Sequence, residues 1–386
     1  MSIRVTTLDE KIRETPLDDS LLSTKEYFVN MGPQHPSTHG VLRLVLQMDG
    51  ETVREVIPVL GYVHRGIEKK GERLNYRQFV HMTDRLDYLS ALANNWALSM
   101  AVEKALNIEL NDRIQTIRTI VVELQRIQSH LLWWGVFGMD LGAFTAFLYG
   151  FRDREKITTI LEETIGARLT MNYIQPGGLM YDIQPDFQAK VKEFIKYFKP
   201  KLDEYESLVT GNVIFQQRMK NIGILDAKTA VSIGTTGPVL RASGVAHDLR
   251  KAEPYGMYGK VQFKIPVGSV GDCWDRYWVH LEEIRQSMLI IEQLIDSIPD
   301  GKHLVMKLNA KLKVPVGSYY SHLETARGIF GVFVVADGTD RPYRIHLRTP
   351  NFNNIWSATV MAPGWRLADL VTIISSLDIV VPDMDR

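Results

Sequence analysis

The chain has 386 residues, 45% hydrophobic and 23% charged, which is typical of a folded globular protein and excludes disordered, collagenous and coiled-coil classes. Its 45 basic residues balance its 45 acidic residues, so we expect no nucleic-acid partner. The single cysteine, Cys273, excludes an internal disulfide, and it excludes an iron–sulfur cluster or thiolate-bound nickel or zinc held by this chain alone.

Two features bear on targeting. Residues 1–24 contain several acidic side chains and lack the apolar core of a secretory signal, which predicts a flexible N-terminal arm. The longest apolar stretch, near residues 131–139, is much shorter than the roughly 18–20 residues needed to cross a bilayer. We therefore expect no membrane-spanning segment.

Alternating apolar residues predict a small sheet at the start of the fold. A strand near Tyr27–Met31 precedes strands at Val41–Met48 and Val53–Leu60, which pair across an Asp49–Gly50 turn. The side chains predicted on the buried face of the second strand are Leu42, Leu44, Leu46 and Met48. Further strands are predicted at Ile329–Ala336 and Tyr343–Arg348 near the end of the chain.

Apolar residues at spacings of three and four predict long helices in the centre. The three buried stripes are Leu86, Leu89, Leu92, Trp96 and Met100; then Ile114, Ile117, Val121, Leu124, Ile127 and Leu131; then Trp278, Leu281, Ile284, Met288, Ile291 and Ile295. Asp112 is a candidate cap for the second helix. Residues 190–208 read as a charged amphipathic helix.

These patterns predict an α+β fold. We divide it into an N-terminal β region at 25–75, a central helical bundle at 76–300 and a C-terminal α+β region at 301–386 that closes the core. No repeat or linker separates these regions, so we expect one interwoven unit.

The loop of residues 32–40 holds two histidines, His35 and His39, between prolines and glycines. Restricted backbone favours a stiff projection that fixes an imidazole in place. The alternatives are that both histidines brace the hairpin, or that they bind a metal ion, although the loop offers no acidic or sulfur ligand.

Three further side chains are candidates for chemistry. Arg85 and Tyr88 are three residues apart, and on a helix they would share a face, placing a cation beside a phenol that can donate a hydrogen bond. The alternative for Tyr88 is a boundary tyrosine with its hydroxyl in water. Asp140 is either a helix cap or a carboxylate partner for a histidine.

Long motifs carry a resemblance to a known family. They are GPQHPSTHGVLR at 32–43, GYVHRGIEK at 61–69, DRLDYLS at 84–90, SHLLWWG at 129–135, LRASGVAHDLRK at 240–251 and SSLDIVVPDMDR at 375–386. From about residue 25 to the last residue, the chain resembles the D subunit, or 49-kilodalton subunit, of respiratory complex I. That family is similar in turn to the large subunit of nickel–iron hydrogenases, which implies a hydrogenase-like fold.

Hydrogenases hold their metal with two Cys-x-x-Cys pairs. The matching stretches here, residues 85–90 and 378–383, contain no cysteine, so nickel binding is excluded. The resemblance implies that the pocket takes a quinone headgroup instead. His39 and Tyr88 match the residues that hydrogen-bond the two quinone oxygens, and Asp140 matches the carboxylate that pairs with the histidine. Arg85 matches the arginine beside an iron–sulfur cluster held by a neighbouring subunit.

Three positions depart from the family pattern. Thr170 stands where many relatives have a histidine near the cluster, Gln175 where an arginine is common, and Ile329 where a glutamate is usual. Loss of the histidine should lower the potential of the cluster and weaken its pH dependence, which favours menaquinone over ubiquinone as the substrate. We have no mechanistic account of Ile329.

The resemblance implies the quinone-reducing core subunit of a proton-translocating NADH:quinone oxidoreductase. The implied partners are the other complex I subunits, especially the cluster-bearing B subunit, the C subunit and the membrane subunit of the quinone channel. Membrane association would run through those partners, on the cytoplasmic face of a bacterium or the matrix face of a mitochondrion. Alternatives are a ferredoxin-dependent membrane oxidoreductase and a non-catalytic scaffold.

Overall fold

A three-stranded antiparallel sheet opens the fold in the computed structural model, which describes residues 26–33, 41–307, 309 and 311–386. Its strands, in spatial order, are β1 (Glu26–Met31), β2 (Arg43–Asp49) and β3 (Thr52–Val59). The alternating apolar residues predicted to face the core are all buried, from Leu42 to Met48. The predicted N-terminal sheet is therefore confirmed.

Helices follow this sheet. They are α1 (Ile67–Gly71), α2 (Tyr76–Thr83), α3 (Ala91–Leu106), α4 (Asp112–Asp140) and α5 (Phe144–Ile165). The predicted cap at Asp112 is wrong: Asn111 is the N-cap of α4, and its side-chain oxygen accepts a hydrogen bond from the Ile114 amide at 2.9 Å. Asp112 is the first helical residue instead, where its charge suits the helix dipole.

A short β4–β5 ladder (Ile174–Gln175 and Gly178–Leu179) separates this group from a second one. That second group comprises α6 (Phe187–Tyr205), a π-helical turn (Glu206–Thr210), α7 (Val213–Gln217), α8 (Ala227–Ile233), α9 (Pro238–Ala242), α10 (Leu249–Ala252), a 3-10 turn (Tyr258–Lys260) and α11 (Cys273–Ile295). Helix α4 packs against both α5 and α11, which confirms the central helical bundle. Trp278 is 38% exposed, so the stripe predicted on α11 is not buried along its whole length.

The C-terminal region begins with an antiparallel sheet of β6 (Gly317–Thr325), β7 (Gly328–Ala336) and β8 (Pro342–Arg348). The last two strands were predicted and β6 was not. Short helices finish the chain: α12 (Pro350–Trp356), α13 (Ala358–Met361), α14 (Leu367–Ser376) and α15 (Val381–Met384). Helix α3 packs on β6 and β7, so this sheet lies against the bundle.

One continuous hydrophobic core includes side chains from the first sheet, the bundle and the C-terminal region. The mixed α+β class predicted from the sequence is therefore confirmed. Among the helices of the described residues, the search for a bilayer-crossing segment of sufficient length and apolarity finds none.

Candidate functional site

The two stretches that match metal-binding motifs elsewhere meet at a buried arginine. Arg327 lies in the turn between β6 and β7 and is 1% exposed. Its Nη1 lies 3.1 Å from an Asp87 carboxylate oxygen and 2.9 Å from Ser129 Oγ. Its Nε and Nη2 donate to the backbone and side-chain oxygens of Asp378, each at 2.8 Å. We call Arg327, Asp87 and Asp378 the Arg327 clamp.

The Arg327 clamp binds the two stretches through carboxylates rather than sulfur. Cys273, the single cysteine of the sequence, is buried at the start of α11, where its Sγ accepts a hydrogen bond from Arg276 at 3.2 Å. Burial raises the pKa of this thiol, so Cys273 is an inert structural residue.

Tyr88 follows Asp87 directly and is half-buried beside the Arg327 clamp. Burial raises the pKa of Tyr88 to about 12, and the Asp87 and Asp378 charges act in the same direction against Arg327. The phenol therefore stays protonated at neutral pH and is available as a hydrogen-bond donor.

The predicted shared helical face of Arg85 and Tyr88 is wrong, because both residues lie in the turn between α2 and α3. The Asp87 carboxylate accepts a hydrogen bond from the Leu89 amide at 3.0 Å, which draws the backbone out of helical geometry. The Arg85 side chain is 47% exposed and binds the His81 carbonyl at 2.8 Å and Asp84 at 3.0 Å. Arg85 therefore points toward the surface.

Asp140 is the last residue of α4, so its predicted role as a cap is wrong; Ala143 precedes α5 without a side-chain cap. The Asp140 carboxylate is partly exposed and accepts a short hydrogen bond from Ser375 Oγ. The Ser375 carbonyl in turn accepts from Trp133 Nε1 at 2.7 Å. Asp140 is thus tied to α14 and to the aromatic part of α4.

Contacts run without a gap from this aromatic segment to the Arg327 clamp. The Trp133 ring stacks on His280, with 3.9 Å between centroids. His280 Nε2 lies 3.7 Å from Asp378 Oδ2, and Asp378 belongs to the clamp. The structure therefore joins Asp140 and Tyr88 through one chain of packed side chains.

His39, the remaining predicted site residue, lies outside the described residues, as does His35. The neighbouring motif at 61–69 is described, and Asp385 holds its first turn. The Asp385 carboxylate accepts the Gly61 and Val63 amides at 2.8 and 3.0 Å, and its carbonyl lies 3.1 Å from His64 Nδ1. Two separate motifs of the resemblance therefore pack against one another.

Sequence reasoning missed a buried network of charges next to the clamp. Arg241 binds Glu283 at 2.5 Å and Glu324 at 2.8 Å, while Arg250 binds Asp248 at 2.7 Å. All five side chains are fully buried. Three of them belong to the 240–251 motif, whose mixed charges were the available signal.

Asp383 is the other buried carboxyl of the matching stretches, and it accepts a hydrogen bond from Asn351 at 2.7 Å. Burial and the neighbouring Asp87 carboxylate raise the pKa of Asp383 to about 7, well above its ordinary value of 3.8. Because the folded state holds this proton more tightly than the unfolded state, the associated stability is present below pH 4 and is lost as the pH rises through 7.

We therefore expect Asp383→Asn to flatten the decline of stability between pH 5 and pH 8. One pKa unit corresponds to about 1.4 kcal/mol, so the gain at pH 8 should reach a few kcal/mol. Thermal unfolding of the full chain across this pH range measures it. Asp203→Asn, at an exposed position of α6, is the control and should leave the pH profile unchanged. Equal pH slopes for the wild type and Asp383→Asn would contradict the raised pKa.

Known proteins share most of this sequence. The family model for the 49 Kd subunit of respiratory-chain NADH dehydrogenase matches residues 140–386. The D subunit of the NADH-quinone oxidoreductase of Desulforamulus reducens is 47% identical over 364 residues, covering 94% of this chain and 99% of that protein. The fused C/D subunit of the Bacteroides thetaiotaomicron enzyme of the same name is 50% identical over 366 residues, covering 95% of this chain and 69% of that protein. The chain therefore belongs to the family of the 49 Kd subunit of respiratory-chain NADH dehydrogenase.

Proposed function

We propose that this chain is the quinone-site core subunit of a proton-translocating NADH:quinone oxidoreductase. The observation that carries the proposal is the protonated Tyr88 phenol beside the Arg327 clamp, at the junction of the two stretches that match metal-binding motifs. Relatives that cover most of the chain are named as the D or C/D subunits of NADH-quinone oxidoreductases, which supports the same substrate class. We also propose the hydrogenase-like fold on the basis of these matching stretches.

Two donors are required because a quinone has two carbonyl oxygens, and each takes up one proton when two electrons arrive. In our proposal, Tyr88 Oη donates a hydrogen bond to one oxygen and then its proton, and the His39 imidazole does the same at the other. Since burial raises the pKa of Tyr88, its phenolate is a strong base and regains a proton readily. Asp140 would orient His39 and keep it protonated.

Electrons would reach this pocket from an iron–sulfur cluster held by a neighbouring subunit. Arg85 is our candidate for the side chain beside that cluster, and its exposed position leaves it accessible to a partner. The proposed partners are the cluster-bearing B subunit, the C subunit and the quinone-channel membrane subunit. Through them the chain would lie peripherally on the cytoplasmic face of a bacterial membrane, or the matrix face of a mitochondrial one.

We further propose menaquinone rather than ubiquinone as the substrate. Thr170 has no imidazole to become cationic near the cluster, and the Gln175 side chain donates to the Leu179 carbonyl at 3.2 Å and adds no charge. Both features should keep the potential of the neighbouring cluster low, which suits a low-potential acceptor.

Purification of the intact assembly tests the proposal. Solvent extraction should release menaquinone, and NADH oxidation should depend on an added naphthoquinone. In redox titrations, Thr170→His should raise the potential of the cluster and make it more pH-dependent. Thr170 has a positive φ of 45°, a backbone conformation that histidine also tolerates.

The possible results separate the two parts of the proposal. Bound ubiquinone, or a wild-type potential already as pH-dependent as that of Thr170→His, would contradict the menaquinone assignment alone. An assembly that neither retains a quinone nor reduces one would contradict the function itself.

A further inference from the structure

Two buried histidines face each other where α4 crosses α11. His130 and His280 are 0% and 1% exposed, and their rings meet edge to face with centroids 4.9 Å apart. Neither residue belongs to the proposed quinone site. Asp378, at the end of the chain segment after α14, is the third buried side chain at this point.

The outer nitrogen of each ring is already engaged. His130 Nε2 lies 3.1 Å from a Glu283 carboxylate oxygen. Although burial opposes it, Arg241 holds the pKa of Glu283 well below its ordinary value, so this carboxylate is an acceptor and His130 Nε2 carries the proton. His280 Nδ1 lies 2.7 Å from the Arg276 carbonyl, which can only accept, so His280 Nδ1 also carries a proton.

The inner nitrogens are therefore lone-pair donors without a proton. His130 Nδ1 and His280 Nε2 have no hydrogen-bond partner among the described residues. Both lie with an Asp378 carboxylate oxygen in a group of three atoms that are all within 4.8 Å of one another. Two imidazole lone pairs and a carboxylate thus converge on one buried point.

We infer that His130, His280 and Asp378 form a binding site for a divalent metal ion of the zinc class. Metal-bound histidines generally donate their other ring proton to a carboxylate or a backbone carbonyl, as both histidines do here. Zinc binds imidazole and carboxylate at about 2.0–2.2 Å, which sets neighbouring ligand atoms about 3.4 Å apart. The His280–Asp378 spacing of 3.7 Å is close to that value, and a small closure brings in His130.

A metal ion fits this arrangement better than a proton. A single proton bridges only two of the three atoms and leaves the third buried and unsatisfied. Burial also lowers the pKa of His130 to about 4, which opposes protonation of its free nitrogen near neutral pH. The ion would join α4, α11 and the C-terminal segment, so its role is structural and goes beyond quinone reduction.

The test uses the full-length chain, stripped with a chelator, incubated with Zn²⁺ alone and freed of excess metal. We expect one zinc per chain by mass spectrometry and a midpoint of thermal unfolding several degrees above that of the stripped protein. His280→Gln should lose both effects. His322→Gln is the matched control, because His322 pairs with Glu253 at 3.0 Å near the surface, and it should retain both.

Two further measurements keep the inference testable if His280→Gln fails to fold, as judged by circular dichroism. His130→Gln should show the same loss of zinc and of stabilisation. X-ray absorption at the zinc edge of the wild type should show nitrogen and oxygen neighbours with imidazole scattering. Sulfur ligation, zinc retained equally by His280→Gln and the wild type, or no zinc in the wild type would each overturn the site.

Discussion

Tyr88→Phe is expected to lower quinone reduction by about 100-fold or more, because it removes both a hydrogen-bond donor and a proton source at the reacting oxygen. The aromatic ring and its packing are kept, so the cost to stability should be about 1 kcal/mol. The rate of NADH oxidation by the intact assembly, with a quinone as acceptor, measures the effect. Oxidation with a water-soluble artificial acceptor should be unchanged.

This experiment also separates the proposed enzyme from a non-catalytic scaffold. A scaffold would assemble normally and lose no quinone activity when the hydroxyl is removed. Tyr343→Phe is the control, since Tyr343 is 69% exposed on β8, and it should leave both assays unchanged. Full quinone reduction by the Tyr88→Phe assembly would refute a direct role for the phenol.

Arg327→Leu is expected to destabilise the fold by about 3–5 kcal/mol, because it leaves the Asp87 and Asp378 carboxylates buried beside each other without a cation. Thermal or denaturant unfolding of the full chain measures the loss. Arg327→Lys keeps the charge and loses the forked geometry, so it should fall between the wild type and Arg327→Leu.

Arg341→Leu provides the comparison. Arg341 is 60% exposed and lies 3.9 Å from Asp340, so removal of its charge should cost less than about 1 kcal/mol. Equal stability of the Arg327→Leu and Arg341→Leu chains would show that the Arg327 clamp contributes nothing to the fold.

Local patterns predicted the elements that local forces determine. The strand predicted at Val53–Leu60 is β3 (Thr52–Val59), because its alternation reports a sheet with one buried face. Strand β6 was missed because its first half, including Tyr320, is largely exposed and carries no such alternation.

The site was less predictable, because long-range contacts determine it. An arginine followed by glycine in a hairpin turn, as at Arg327, usually indicates an exposed residue. Its burial depends on Asp87, which lies 240 residues earlier in the chain. The same reasoning applies to His130 and Glu283, 153 residues apart, which show no local signal of pairing.

The buried charge network has a consequence for how the chain reaches its native state. Arg241, Glu283 and Glu324 come from three separate segments, and a charge enters the interior at low cost only together with its partners. Intermediates that collapse before all three segments arrive must leave these groups hydrated and the centre open. We therefore expect slow, highly cooperative folding, in which the bundle and the C-terminal sheet close in a single late step.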